Sequence, residues 1–183
     1  MKTFLRELAI TLGLALVIFL LFQTVAQNFI VMEQCMEPGF HEGERLLVNK
    51  IAYHFGEPRR GDVIILHPPS NLKEVFIKRI IALPGDTVEV KEGAIYVNGT
   101  KLNEPYIKEP MDYTLPERKI PENEYFVLGD NRNIANDSHR GWTLPRKDII
   151  GRAWLILWPL KDWGPVKHYP LQEQLASTSA SGG

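Results

Sequence analysis

Val75-Phe76-Ile77-Lys78-Arg79-Ile80-Ile81-Ala82-Leu83-Pro84-Gly85-Asp86 is the stretch whose reading decides the fold. Its β-branched residues favour a pleated strand, and Pro84-Gly85-Asp86 ends the run with turn chemistry. Short runs of the same kind lie on both sides. Upstream are Arg45-Leu46-Leu47-Val48-Asn49-Lys50 and Val63-Ile64-Ile65-Leu66, the second opened by Gly61-Asp62 and stopped by Pro68-Pro69. Downstream, Thr87-Val88-Glu89-Val90 alternates with period two and turns at Lys91-Glu92-Gly93 into Ala94-Ile95-Tyr96-Val97. Asn98-Gly99 then marks a hairpin. Glu124-Tyr125-Phe126-Val127-Leu128 and the segment Ile149 to Trp158 complete the strand candidates. Ile51 to Phe55 suits a short helical turn, and the proline-rich segment Glu104 to Pro121 a surface loop or arm. The expected fold class is all-β, a folded-sheet or barrel-like domain.

One segment does not fit a β domain. Charges stop after Glu7 and return at Glu33, and Leu8 to Ala26 is almost wholly apolar. A helix needs about 20 such residues to cross a bilayer. Two readings compete. Lys2, Arg6 and Thr24-Val25-Ala26 suit the head and cleavage site of a secretory signal. The length of the run exceeds a signal core of about 7–15 residues and favours a retained anchor. Lys2 and Arg6 keep the N-terminus in the cytoplasm. The expected organisation is a cytoplasmic N-terminus at 1–7, an anchor at 8–28, an extracytoplasmic β domain at 29–170 and a flexible tail at 171–183. The localisation that follows is a single pass through the plasma membrane.

The 183 residues suffice for one folded domain plus appendages, and the net charge of -1 offers no basic field for nucleic acid. With one cysteine, Cys35, no internal disulfide forms. Nothing in the sequence fixes an oligomeric state.

Three features carry chemistry. Lys78 stands within the apolar strand. On a half-buried strand it faces solvent; buried, it loses its proton and becomes a general base for a nearby hydroxyl or thiol. Cys35, in Glu33-Gln34-Cys35-Met36-Glu37-Pro38, follows the apolar segment among polar and loop-forming neighbours. It is either a packed structural cysteine or a nucleophile whose thiolate a nearby cation favours. Gly129-Asp130-Asn131-Arg132, followed by Asp137-Ser138, is a polar turn after a strand or a lock built of charge-assisted hydrogen bonds.

In this order the three features resemble the bacterial type I signal peptidases. That family has a nucleophile box Ser-Met-x-Pro after the membrane span, read here as Cys35-Met36-Glu37-Pro38. Its lysine box, Lys-Arg-(Ile/Val)-(Ile/Val)-(Ala/Gly)-x-Pro-Gly-Asp, is matched throughout by Lys78 to Asp86. Its Gly-Asp-Asn-Arg-x-x-Ser-x-Asp-Ser box reads Gly129-Asp130-Asn131-Arg132-Asn133-Ile134-Ala135-Asn136-Asp137-Ser138. Arg60-Gly61-Asp62-Val63 and Gly151-Arg152-Ala153 also fit. The resemblance implies a serine–lysine dyad peptidase, needing no cofactor and no metal, that removes signal peptides from exported preproteins after small residues of the Ala-x-Ala type. It implies Cys35 and Lys78 as the catalytic pair and Met36, Phe76 and Ile77 beside the scissile bond. Arg79, Asp130, Arg132, Asp137 and Ala135 are the implied supports. The partners it implies are signal peptides and the lipid bilayer.

Five positions depart from the family pattern: Cys35 for the nucleophilic serine, Ala135 for a serine that orients the lysine, and Glu33 for a glycine or serine of the oxyanion hole. Gly39 replaces a threonine and His139 an arginine. These changes admit an alternative, a catalytically impaired paralogue acting as a membrane-anchored peptide- or partner-binding module. A thiol redox sensor has Cys35 alone behind it.

Overall fold

The computed structural model describes residues 2–175. The chain begins with α1 (Lys2–Val25). Its 24 residues span about 36 Å at 1.5 Å per residue, enough for a hydrocarbon core of about 30 Å. The window Thr3–Leu20 packs against nothing. The helix runs directly into β1 (Ala26–Ile30), and the Lys50 N–H donates to the Val25 carbonyl at the junction. Helix therefore stops three residues short of the expected end of the span at 28, because Ala26 to Asn28 pair with β2 (Arg45–Asn49).

The remaining strands are β3 (Val63–Leu66), β4 (Phe76–Ala82), β5 (Thr87–Lys91), β6 (Ala94–Val97), β7 (Thr100–Lys101), β8 (Leu115–Lys119), β9 (Glu124–Leu128), β10 (Leu144–Pro145), β11 (Ile149–Trp158) and β12 (Gly164–Pro165). Among the described residues they form two antiparallel sheets. The larger runs β1-β2-β11-β3-β4-β9-β10, with β12 alongside β11; the smaller runs β7-β6-β5-β8. The expected all-β domain behind one apolar helix is what the chain forms.

β4 lies between β3 and β9, and all seven of its residues are buried. Covered on both faces, it reads as a continuous apolar run rather than an alternating one. Ile81 and Ala82 join Phe126 and Leu128 of β9 in a core shared with Val88, Val90, Ile95 and Val97 of the small sheet. Ile77 instead joins Val31, Cys35, Met36, Phe40 and Ala135 in a second core. The pairing of β4 with β9 begins at Arg79, opposite Leu128. Among the described residues, the edge at Phe76 to Lys78 therefore has a strand partner on the β3 side alone.

Two expectations are corrected, a surface loop or arm at 104–121 and a flexible tail from 171. The segment 104–121 contains β8, paired with β5 from Thr87 opposite Lys119, and buries Tyr106, Met111 and Ile120. Pro116 and the charged side chains in it mask the strand signal, yet all are tolerated at a sheet edge. The expected tail at 171–183 begins too early. Leu171 is buried in the core shared by the two sheets. The Gln172 side-chain oxygen accepts from the Arg60 guanidinium, and Gln174 exchanges two hydrogen bonds with the Asn103 backbone. Residues 176–183 of that expected tail lie outside the described residues.

Candidate active site

Cys35 sits in a one-turn 3-10 helix, Gln34–Met36, which lies beside β4 where, among the described residues, β9 does not pair with it. Its Sγ lies 3.6 Å from the Ile77 carbonyl oxygen. Two further bonds pin the turn to the Gly129–Arg132 loop. The Asn131 N–H donates to the Cys35 carbonyl at 3.0 Å, and the Asn131 side-chain amide donates to the Gln34 carbonyl at 3.1 Å. Gly129 lets the two segments meet: a Cβ there would stand 2.4 Å from the Cys35 carbonyl oxygen and 2.6 Å from Ala135 Cβ.

Lys78 places Nζ 3.0 Å from Cys35 Sγ. Lys78 is 0% exposed and Cys35 4%, so the solvent-facing reading of this lysine is excluded. Burial raises the Cys35 thiol above its ordinary pKa, Lys78 works against that rise, and Glu33 and Asp137 add to it. The thiol form is thus favoured: it donates to the Ile77 carbonyl, and Nζ donates to Sγ at 3.0 Å, a separation that a proton transfer between the two can cross.

The supporting residues converge behind this pair. Successive residues of a strand project to opposite faces, so Arg79 leaves β4 away from Lys78. It forms a forked ion pair with Asp130, Nε to Oδ1 at 2.9 Å and Nη2 to Oδ2 at 2.6 Å, and donates to the Gly61 carbonyl at 2.9 Å. The guanidinium also stacks 4.2 Å from the Tyr106 ring centroid. Burial opposes the Arg79 charge, but the bonds to Asp130 outweigh it and hold the guanidinium above its ordinary pKa. Arg132 repeats the pattern with Glu104, at 2.8 and 2.5 Å, and caps the Gly129 carbonyl at 2.9 Å. Asp137 accepts from the Gly129 N–H at 2.9 Å through one oxygen, and pairs with His139 at 2.6 Å through the other. Ser138 Oγ accepts from the Val127 N–H. The loop is therefore the hydrogen-bonded lock, not a mere surface turn.

Of the three expected pocket residues, Phe76 lines an open groove of about 500 Å³ with Asn28, Phe29, Ile30, Met32, Glu33, Glu74 and Val75. Met36 and Ile77 are buried behind it in the core around Cys35. Ala135 belongs to the same core and brings a methyl group to the site. Glu33 is exposed at the groove and makes no capping hydrogen bond to the turn it precedes.

Sequence reading missed Glu104, hidden in a segment read as a loop, and the groove wall of β1. Phe29 to Met32 read as a continuation of the apolar segment, and no residue there separates a strand from the end of a span. Among the described residues no cluster of His, Cys, Asp and Glu suits a metal ion.

A buried lysine in contact with a thiol, on a strand whose Phe76 lines an open groove of an all-β domain, is equipped for lysine-assisted nucleophilic attack. The family described as Signal peptidase, peptidase S26 matches residues 3–158, and the chain belongs to it. Probable signal peptidase I-1 of Synechocystis sp. is 44% identical over 171 residues, covering 89% of this chain and 87% of that protein. Signal peptidase I of Leptolyngbya laminosa is 44% identical over 170 residues, covering 87% and 84%. Signal peptidase I P of Bacillus subtilis subsp. natto is 39% identical over 163 residues, covering 83% and 87%.

Proposed function

We propose that the chain is a membrane-bound signal peptidase that cuts exported preproteins after small residues, with Cys35 as nucleophile and Lys78 as general base and acid. The observation that carries this reading is the 3.0 Å contact between Nζ and Sγ in a buried site. Nζ takes the thiol proton as Sγ attacks the scissile carbonyl, then returns it to the leaving amine. The open edge of β4 and the groove beside it, walled by Phe29, Ile30, Met32, Val75 and Phe76 among polar residues, suit an extended peptide lying along Phe76. Arg79, Asp130, Arg132 and Asp137 hold the Gly129 loop, and through it the Cys35 turn.

The helix α1 serves as a retained anchor with its N-terminus in the cytoplasm and residues 29–170 on the outer side of the plasma membrane. Exposed Trp154, Trp158, Leu160 and Trp163 support a domain surface resting on the bilayer, since such side chains favour the interface. They lie on β11 and the turns after it, in the same sheet as β1, which follows the helix directly.

The test is cleavage of a preprotein by the full chain in detergent, with the cut mapped by mass. Wild type is expected to cut after Ala-x-Ala, and Cys35→Ala to lose the cut. Equal rates for the two sink the reading, and binding without cleavage by wild type establishes the impaired binding module instead.

A further inference from the structure

The nucleophile and its surroundings also bear on what happens after the first bond is broken. We infer that the chain is an acyltransferase as well as a hydrolase. It passes the signal-peptide acyl group from Cys35 to the α-amine of a peptide, forming a new amide. The inference rests on the dyad reading above and extends the same site.

Two observations support it. The first is the sulfur itself. In the first step a bond forms between Sγ and the scissile carbonyl carbon, the C–N bond breaks, and the leaving amine takes a proton from Nζ. What remains is a thioester on Cys35 and a neutral Lys78. In the second step an amine nitrogen attacks the same carbon, the C–S bond breaks, Nζ takes the proton the amine loses, and Sγ leaves as thiolate. Nζ then returns that proton to Sγ, which restores the thiol and the neutral amine, and no oxidant or cofactor enters. A thiolate leaves far more readily than an alkoxide, and an amine is a stronger nucleophile than water, so a thioester divides in favour of amines more than an oxygen ester does.

The second observation is the burial of the site among apolar side chains. Cys35 and Lys78 are buried, and Val31, Met36, Phe40, Ile77 and Ala135 pack around the thiol. Where the family pattern carries a hydroxyl, Ala135 offers a methyl group, which cannot hold a deacylating water. The place from which the first amine departs is already shaped for a peptide N-terminus. By microscopic reversibility it receives another. Exposed Glu33, two residues from Cys35, attracts an acceptor that arrives as an ammonium, which gives up one proton to solvent before the free amine attacks.

The experiment uses the full chain in detergent with a synthetic donor peptide carrying an apolar segment and an Ala-x-Ala site. Glycinamide is the acceptor, and mass spectrometry counts acid and amide products. The amide fraction is expected to rise in proportion to glycinamide. Neutral hydroxylamine is expected to divert the acyl group to a hydroxamate. Cys35→Ser, which would leave an oxygen ester, is expected to lower the amide-to-acid ratio by about tenfold. If Cys35→Ser does not cleave, the wild-type ratio against glycinamide concentration decides alone. Cleavage by wild type that yields acid at every glycinamide concentration overturns the inference and leaves the peptidase reading standing. No cleavage with or without acceptor overturns both.

Discussion

Lys78 and Arg79 are neighbours on β4 and both are buried, yet they are held in different ways. Arg79 is tied by a forked ion pair to Asp130, a bond to the Gly61 carbonyl and a stack on Tyr106. Lys78 touches Cys35 Sγ at 3.0 Å and lies 4.9 Å from the Phe76 ring centroid. On the Arg79 side Arg79, Asp130, Arg132 and Asp137 keep the family pattern, and the departures are at their neighbours, Gly39 beside Asp130 and His139 bonded to Asp137. On the Lys78 side Cys35, Ala135 and Glu33 depart from it. The scaffold half of the strand is over-determined, whereas the reactive half is lightly held and free to change its chemistry. A group that must gain and lose a proton cannot be locked by a permanent counter-charge.

Breaking each half separately sharpens that contrast. The largest expected effect is on the reactive side: Lys78→Met lowers preprotein cleavage by about 10²–10⁴-fold, the range for loss of a positioned acid–base group. The unfolding midpoint stays near that of wild type, because one thiol contact is lost and the new side chain is apolar. Asp130→Ala does the reverse. It strands the Arg79 charge in the interior, and denaturant unfolding should show a loss of about 3–5 kcal/mol. Gly129→Ala tests the seam between the halves. Its Cβ collides with the Cys35 carbonyl and Ala135, so a loss of about 1–3 kcal/mol comes with a displaced nucleophile and a fall in cleavage.

The smallest effect is electrostatic. Iodoacetamide labelling of Cys35 should rise with pH and reach half-maximum above the ordinary thiol range, because burial favours the protonated form. Lys78→Met moves that midpoint further up, since the lysine opposes the rise, and Glu33→Gln moves it down, since the carboxylate adds to it. A midpoint below the ordinary thiol range means a resting thiolate–ammonium pair and removes the need for Nζ to act as base.

How much of this was legible in the sequence follows the same division. The β-branched run at β4, the Asn98-Gly99 hairpin and the Pro-Gly stops predict the fold, because each is a local preference that the tertiary structure keeps. Lys78, Cys35 and the Gly129 loop are found from motif order. Their contact is not, since it depends on β4 lacking a strand partner at Phe76 to Lys78. Glu104 was invisible for a related reason: a charged residue in a proline-rich stretch reads as surface, and the buried Arg132 that demands it lies 28 positions away. β1 was hidden because Ala26 to Asn28 read as the end of the span and Phe29-Ile30 as an extension of its apolar character. Leu171 and Gln172 read as tail because single anchoring contacts leave no periodic pattern.

Because Cys35 is the chain's one cysteine, its role is measured most directly on the unaltered protein. The full chain in detergent is alkylated in steps, and the fraction of Cys35 modified is compared with the remaining rate of preprotein cleavage. Cleavage falling in proportion to the modified fraction, reaching background at full modification, is the predicted result. Undiminished cleavage by fully alkylated protein contradicts the Cys35–Lys78 dyad.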